Sequence, residues 1–296
     1  MIDLHTHTNC SDGSDDYKTL LQKAEKKKIT YLSITDHDNC KVYEQMEKES
    51  WKKYYTGNLI KGVELQAYVL GTSIELLGYG VDPNIINKET KKLYLPFETI
   101  NQTEMERLYK KCIKIGMKFD QNVIENYQNS NEYYATKYLH NEMKKYTENK
   151  RLIEKEEDWK EESSFFRNYT SNPKSILYVD ESDLIPDAKK VISVIKEAGG
   201  LVFIPHIYQY ESNWKEILEY LIQNCEIDGI ECYYPTFSKE QTEYIVNYAK
   251  ENHKYISGGS DYHGCNRPDT ELGTGIQNNL CIKEEIIKDW ISACIK

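Results

Sequence analysis

The 296 residues carry 38 Lys and Arg against 48 Asp and Glu, a formal charge of −10. That balance argues against a protein held mainly on duplex phosphate, whose affinity comes from basic side chains displacing counterions; it leaves open a nucleotide held through metal ions. No apolar run approaches the roughly 20 residues of a membrane span, no export signal opens the chain, and the eight Cys form no CxxC pair, so a cytoplasmic protein with free thiols is expected.

Residues 1–4 read as a strand. Residues 14–27 read as a helix with Tyr17, Leu20, Leu21 and Ala24 on one face and Ser14 as its N-cap. A second strand is expected over 30–35 and a second helix over 41–54. Strands over 58–66 and 72–79 follow, joined by a short turn at Gly71. Such alternation predicts parallel βαβ units. After Asp82-Pro83 the strand signal stops. Residues 96–175 read as an inserted helical subdomain, and the charged run from Lys155 to Glu162 as a solvated helix face. Alternation then resumes: helix 186–198, strand 201–204, helix 213–224, strand 229–232, helix 238–251, strand 255–257 and a last helix near 283–294. The barrel is thus assigned to 1–95 and 176–296.

Three short phrases follow predicted strands. The first is Asp3-Leu4-His5-Thr6-His7, with Asp12 five residues on. Residues i and i+2 of a strand share a face, so His5 and His7 can offer two imidazoles to one metal. The second is Thr35-Asp36-His37-Asp38. The third runs from Gly258 to Gly264 and contains Asp261 and His263 in the same i, i+2 relation. Imidazole with carboxylate suits zinc, iron or manganese. Glu64 and His206 end two further strands, and Glu64, between two such phrases in strand order, is placed to bridge two ions. In α/β barrels the strand C-termini gather the active-site loops. Asp3, Asp36 and Asp38 are candidates to accept the free N–H of a metal-bound His, Asp3 foremost.

These phrases, in this order, resemble the PHP (polymerase and histidinol phosphatase) superfamily of metal-dependent phosphoesterases, over roughly 1–95 and 176–296. The resemblance implies a distorted (β/α)7 TIM-like barrel with three divalent ions (Mn, Fe or Zn) at its C-terminal face. It implies His5 and His7 on the first ion, Glu64 bridging to the second and Asp261 closing the set. It places His206 on the second ion, and Asp12, His37 and His263 on the third. Glu75, before Leu76-Leu77-Gly78-Tyr79, stands where many relatives have His, and a carboxylate there favours a harder ion. Relatives with a helical insertion often carry Gly-Arg-Pro-His within it. The nearest stretch here, from Glu132 to Lys137, lacks both Arg and His, so Arg267 or Lys137 is expected to meet the substrate phosphate.

The reaction so implied is hydrolysis of phosphate esters, on nucleotides or nucleic acid ends, by a hydroxide activated between two ions ~3.5–4 Å apart. No Ser or Cys nucleophile is needed. Asp12, His37 and His263 are the catalytic candidates, with His263 or Asp12 assisting proton transfer. Cys10, Cys40 and Cys265 lie near presumed ligands but are not expected to bind metal. His140 and His253 match no phrase; His140, in a helical stretch of the insertion, is expected at the surface rather than facing the cleft. Histidinol-phosphate hydrolysis is the first alternative. An amidohydrolase would share the HxH, but it would lack the early Asp12 and His37. A non-catalytic metal-binding module is the non-enzyme alternative.

Overall fold

The computed structural model describes residues 1–130 and 134–295. Seven strands form one sheet in chain order: β1 (Ile2–Asp3), β2 (Tyr31–Ile34), β3 (Asn58–Val69), β4 (Thr72–Tyr79), β5 (Leu201–Ile204), β6 (Gly229–Tyr233) and β7 (Tyr255–Gly258). Helices α1 (Tyr17–Lys26), α2 (Lys41–Glu47) and α3 (Pro83–Leu93) belong to the first half. Helices α4 (Phe97–Lys114), α5 (Val123–Gln128), α6 (Ala135–Met143), α7 (Glu156–Lys160) and α8 (Glu162–Phe165) follow, and a π-helical turn over Phe166–Thr170 ends the run. Helices α9 (Ala188–Glu197), α10 (Trp214–Asn224), α11 (Lys239–Glu251) and α12 (Ile291–Cys294) complete the chain.

Neighbouring strands pair in parallel except around β4, which runs antiparallel to both β3 and β5. This corrects the expectation of parallel units throughout. Val69 pairs with Thr72 across only Leu70 and Gly71. Two residues cannot cross over a sheet, so the chain must reverse. Both have positive φ, 49° and 80°, as a type I′ hairpin turn requires.

The circle nearly closes where β7 returns to β1. Leu4 N–H donates to Gly258 O at 3.2 Å, Asp261 N–H to His5 O at 2.8 Å, and His7 N–H to Tyr262 O at 2.9 Å. The edges that would otherwise stay unpaired are thereby joined at the strand C-termini. The opposite end is filled by Ile2, Leu4, Ile60, Tyr79, Phe203 and Trp290, all buried.

Helix boundaries moved where side chains found other work. The N-cap of α1 is Asp16, whose carboxylate accepts from Thr19 N–H; Ser14 Oγ instead accepts from Cys265 N–H at 2.8 Å. The second helix ends at Glu47, and a 3₁₀ turn covers Trp51–Lys53. The last predicted helix divides into a 3₁₀ turn at Glu284–Ile287 and α12. Between them Trp290 turns inward onto Phe203, with ring centroids 4.8 Å apart.

Helices α4–α8 have their own apolar cluster, including Met105, Leu108, Leu139, Met143 and Phe165 and reaching on to Leu177 and Val179. His140 is fully buried in this region, its Nε2 3.0 Å from Asp158 O, which corrects its expected surface position. His253 is exposed. The run from Lys155 to Glu162 is solvated except at Trp159 and Glu162, which are half-buried, and at Asp158, which is 1% exposed and accepts from Ser164 Oγ and Asn168 Nδ2.

Candidate metal centre

One face of the barrel, where the parallel strands end and antiparallel β4 begins, brings all nine predicted donors together. His5 and His7 extend β1 and are fully buried. Glu64 lies on β3, in the middle of the sheet, and its two oxygens face different imidazoles. Oε2 is 3.0 Å from His5 Nε2, 3.2 Å from His7 Nε2 and 3.5 Å from His37 Nδ1, while Oε1 is 2.9 Å from His206 Nε2. Asp261 Oδ1 lies 3.4 Å from His5 Nε2 and 3.2 Å from His7 Nε2. Glu75 reaches His206 Nε2 at 3.3 Å and His37 Nδ1 at 3.6 Å. Asp12 reaches His263 Nε2 at 3.1 Å, His7 Nδ1 at 3.6 Å and His37 Nε2 at 3.7 Å. Three groups of donors are thereby close enough to share an ion: His5, His7, Glu64 and Asp261; His37, Glu64 and Glu75; His7, Asp12, His37 and His263.

The backbone is bent to this purpose. Asp38, His206 and Asp261 have φ of 54°, 25° and 55°, a region that costs a non-glycine residue energy and tends to gather at functional sites.

The donor set suits divalent metals. Donors ~2.1 Å from one ion, at octahedral or tetrahedral angles, stand ~3.0–3.4 Å apart, close to the separations seen here. Both ring nitrogens of His7, Nδ1 of His206 and Nε2 of His263 are buried without a hydrogen-bond partner among the described residues. A buried imidazole nitrogen is costly to leave unpaired unless something else binds it.

The electrostatics follow from the same crowding. Burial opposes charge on His7, yet the facing carboxylates of Asp261 and Glu64 raise its pKa to about 10. Burial opposes ionisation of Glu64 too, but His5, His37 and His206 hold its carboxyl well below the usual range. Glu75 goes the other way: burial, then the charge of Glu64, raises it. Burial and then the charge of His7 lower His263. Buried carboxylates therefore demand positive charge here, a role that a divalent cation fills directly.

The expected outer partners of the imidazoles do something else. Asp3 accepts from Ser260 N–H at 2.8 Å, Ser260 Oγ at 2.6 Å and Gly273 N–H at 2.7 Å, bracing the glycine-rich loop, and contacts only the backbone of His5. Asp36 accepts from Thr8 and Ser11, and Asp38 from Gln66 N–H. The carboxylate beside the His5 ring is Glu231, 3.0 Å from Nδ1, which also accepts from His206 N–H at 2.9 Å. It was legible as a charge between Ile230 and Cys232 in an otherwise apolar strand, two residues from Gly229.

A cleft of about 240 Å³ adjoins the centre, lined by Ser73, Glu75, Arg167, Gln209, Tyr210 and Arg267 among others. Arg267 Nη1 is paired with Asp261 Oδ2. Lys137 is exposed on α6 and does not line this cleft; Arg167, on the π-helical turn, does. Glu132 and Tyr133 lie outside the described residues. Cys10, Cys40 and Cys265 join none of the three donor groups.

A barrel that gathers imidazoles and carboxylates at one face is the architecture of a metal-dependent hydrolase. The chain belongs to the PHP-domain family, whose pattern matches residues 3–257. It is 25% identical over 291 residues to a 5′-3′ exoribonuclease of Haemophilus influenzae, covering 97% of each chain. It is 24% identical over 272 residues to a phosphoribosyl 1,2-cyclic phosphate 1,2-diphosphodiesterase of Eggerthella lenta, covering 88% of this chain and 94% of the relative. A solved structure from Bifidobacterium adolescentis, described as a metal-dependent phosphoesterase, shares the fold with a TM-score of 0.64 at 20% identity, over 99% of this chain and 96% of its own. No helix among the described residues is long and apolar enough to cross a membrane.

Proposed function

We propose that the protein hydrolyses phosphate esters of nucleotides or nucleic acid ends at a centre of three divalent ions, Mn, Fe or Zn. The observation that carries this reading is Glu64, whose two oxygens face separate sets of imidazoles. His5, His7, Glu64 and Asp261 would hold the first ion, Glu64, Glu75 and His206 the second, and Asp12, His37 and His263 the third. Bound divalent ions neutralise phosphate charge and make water acidic enough to attack at neutral pH. The side chains supply the rest. Asp12 is about a third exposed, so its carboxylate can pass a proton between the centre and a leaving oxygen. Arg167 and Arg267 line the cleft where the remainder of a substrate would lie. Relatives that act on ribonucleic acid and on a cyclic sugar phosphate support the substrate class. The eight free thiols suit a reducing, cytoplasmic setting.

The test is a hydrolysis panel with Mn, Fe and Zn. It includes 3′,5′-bisphosphorylated nucleosides, short oligoribonucleotides, a cyclic sugar phosphate, histidinol phosphate and an aryl phosphate. Turnover of a nucleotide or oligonucleotide at least about tenfold above histidinol phosphate in kcat/KM is expected. The reverse order would replace the proposed substrate class.

A further inference from the structure

Asp261 divides its two oxygens between different tasks. Oδ1 faces His5, His7 and His263 Nδ1, the last at 3.5 Å. Oδ2 accepts from the Tyr234 hydroxyl at 2.7 Å and from Arg267. The Tyr234 hydroxyl in turn accepts from Gln209 Nε2 at 2.5 Å, and Gln209 Oε1 accepts from Arg167 Nη2 at 3.2 Å. Every donor in the chain from Arg167 through Gln209 and Tyr234 points toward Asp261. Bonds aligned in one direction polarise and strengthen one another. Tyr234 is 5% exposed, and its ring packs edge-on against His206 at 5.4 Å and tilted against Phe237 at 5.3 Å. It has little freedom to swing away.

We propose that Tyr234 and Gln209 are positioning residues that hold Asp261 as a donor through Oδ1 alone and tie that donor to Arg167 in the cleft. The inference rests on the reading that Asp261 binds a divalent ion. A free carboxylate can bind an ion through one oxygen or two. With Oδ2 engaged by a phenol and a guanidinium, only Oδ1 is offered to the imidazole side. Without the phenol, Arg267 alone holds Oδ2 and the donor set loosens. Partners of this kind typically contribute 10–100-fold to metal affinity. Arg167 belongs to the helical run and Gln209 to the segment after His206. The chain of bonds thus connects the cleft wall to the centre through side chains that a substrate anion would meet first.

The test uses the full chain and Mn²⁺ alone as the probe, followed by an aryl phosphate. Tyr234→Phe removes one hydroxyl and keeps the ring. It is expected to weaken Mn²⁺ binding by about tenfold or more in equilibrium dialysis and to lower kcat, with KM within about twofold. Gln209→Leu should shift both in the same direction by less, because the phenol still reaches Asp261. Tyr234→Phe with wild-type Mn²⁺ affinity and kcat would overturn the proposal. So would a variant that loses only thermal stability. If wild type binds Mn²⁺, the Phe variant binds it more weakly and neither hydrolyses any ester in the panel, the positioning role stands and the substrate reading falls.

Discussion

The metal face of the barrel and the helical run α4–α8 bury their side chains on opposite terms. At the metal face the buried groups are polar: His5, His7, Glu64, Glu231 and Asp261 are all at most 5% exposed. Their charges have mainly one another, and removing such groups from water costs several kcal/mol each. In the helical run the buried side chains are mostly apolar, and ion pairs such as Lys118–Glu148 and Lys150–Glu156 sit in solvent, where they contribute little. One region gives up stability to present a cation site. The other has a core of its own, and we propose that it acts as an inserted subdomain whose role is to carry Arg167 to the cleft.

If the two regions differ in this way, mutations should separate them. Glu64→Gln keeps shape but removes the charge that faces four imidazoles. Turnover should fall by about a thousandfold or more, and bound metal measured by elemental analysis should drop, with far-ultraviolet dichroism unchanged. Retained metal and turnover would break the comparison at its centre. Phe165→Ala does the converse. Phe165 is 1% exposed and packs against Tyr169 and His140, so its truncation should cost about 3–5 kcal/mol in urea unfolding. Metal content per folded chain should stay as in wild type.

One pair of groups sharpens the contrast, because it brings buried charge into the helical run. Glu104 on α4 and Glu181 are each 8% exposed. Burial raises Glu104 to about 7, with Glu162 adding to it and a hydrogen bond from Thr136 opposing. Burial, then the charge of Glu104, raises Glu181 to about 8 against the pull of Arg107. In the unfolded chain both return to ~4.3. Between these values the native state holds more protons than the unfolded one, so stability is greatest at acid pH and is lost as pH rises through 7 and 8. Glu181→Gln should flatten that fall, recovering on the order of 4–5 kcal/mol relative to wild type at pH 8.5 and about a third of that at pH 5.5. A urea midpoint difference that does not change with pH would remove the pair as its cause.

The sequence already showed the strand ends because each donor phrase followed an apolar run short enough to be a strand. His5, His7, His37, Glu64, His206, Asp261 and His263 meet because the barrel brings those ends to one face. Spacing could not show direction in the sheet. Reading β4 correctly required seeing that two residues are too few for a crossover. Nor could it show what the second partners do, since Asp3, Asp36 and Asp38 look like imidazole partners by proximity in sequence. They are taken up by backbone N–H and hydroxyl donors of loops. Tyr234 and Gln209 were hidden because nothing beside them in the chain marks which donor they reach across the barrel, and Glu231 showed only as a charge in an otherwise apolar strand. Arg167 was hidden because the helical run has no pattern that marks which side faces the cleft.

The smallest expected effect lies at the one donor position where the chain departs from many relatives. Glu75 reaches His206 and His37 at 3.3 and 3.6 Å, yet burial and the neighbouring Glu64 make its ionised form unfavourable. A nearby divalent ion would reverse that balance, which is the physical reason to count Glu75 as a donor. Glu75→His removes one negative charge and replaces a hard oxygen with a borderline nitrogen. Turnover should stay within about tenfold, while competitive dialysis against Mn²⁺ and Zn²⁺ should shift toward zinc. Glu75→Ala supplies the decisive arm, because it offers no ligand atom. Loss of bound ion in that variant assigns Glu75 to the centre. Unchanged metal content would make Glu75 a wall of the cleft, and the metal face would then hold one half-exposed carboxylate with no cation to answer it.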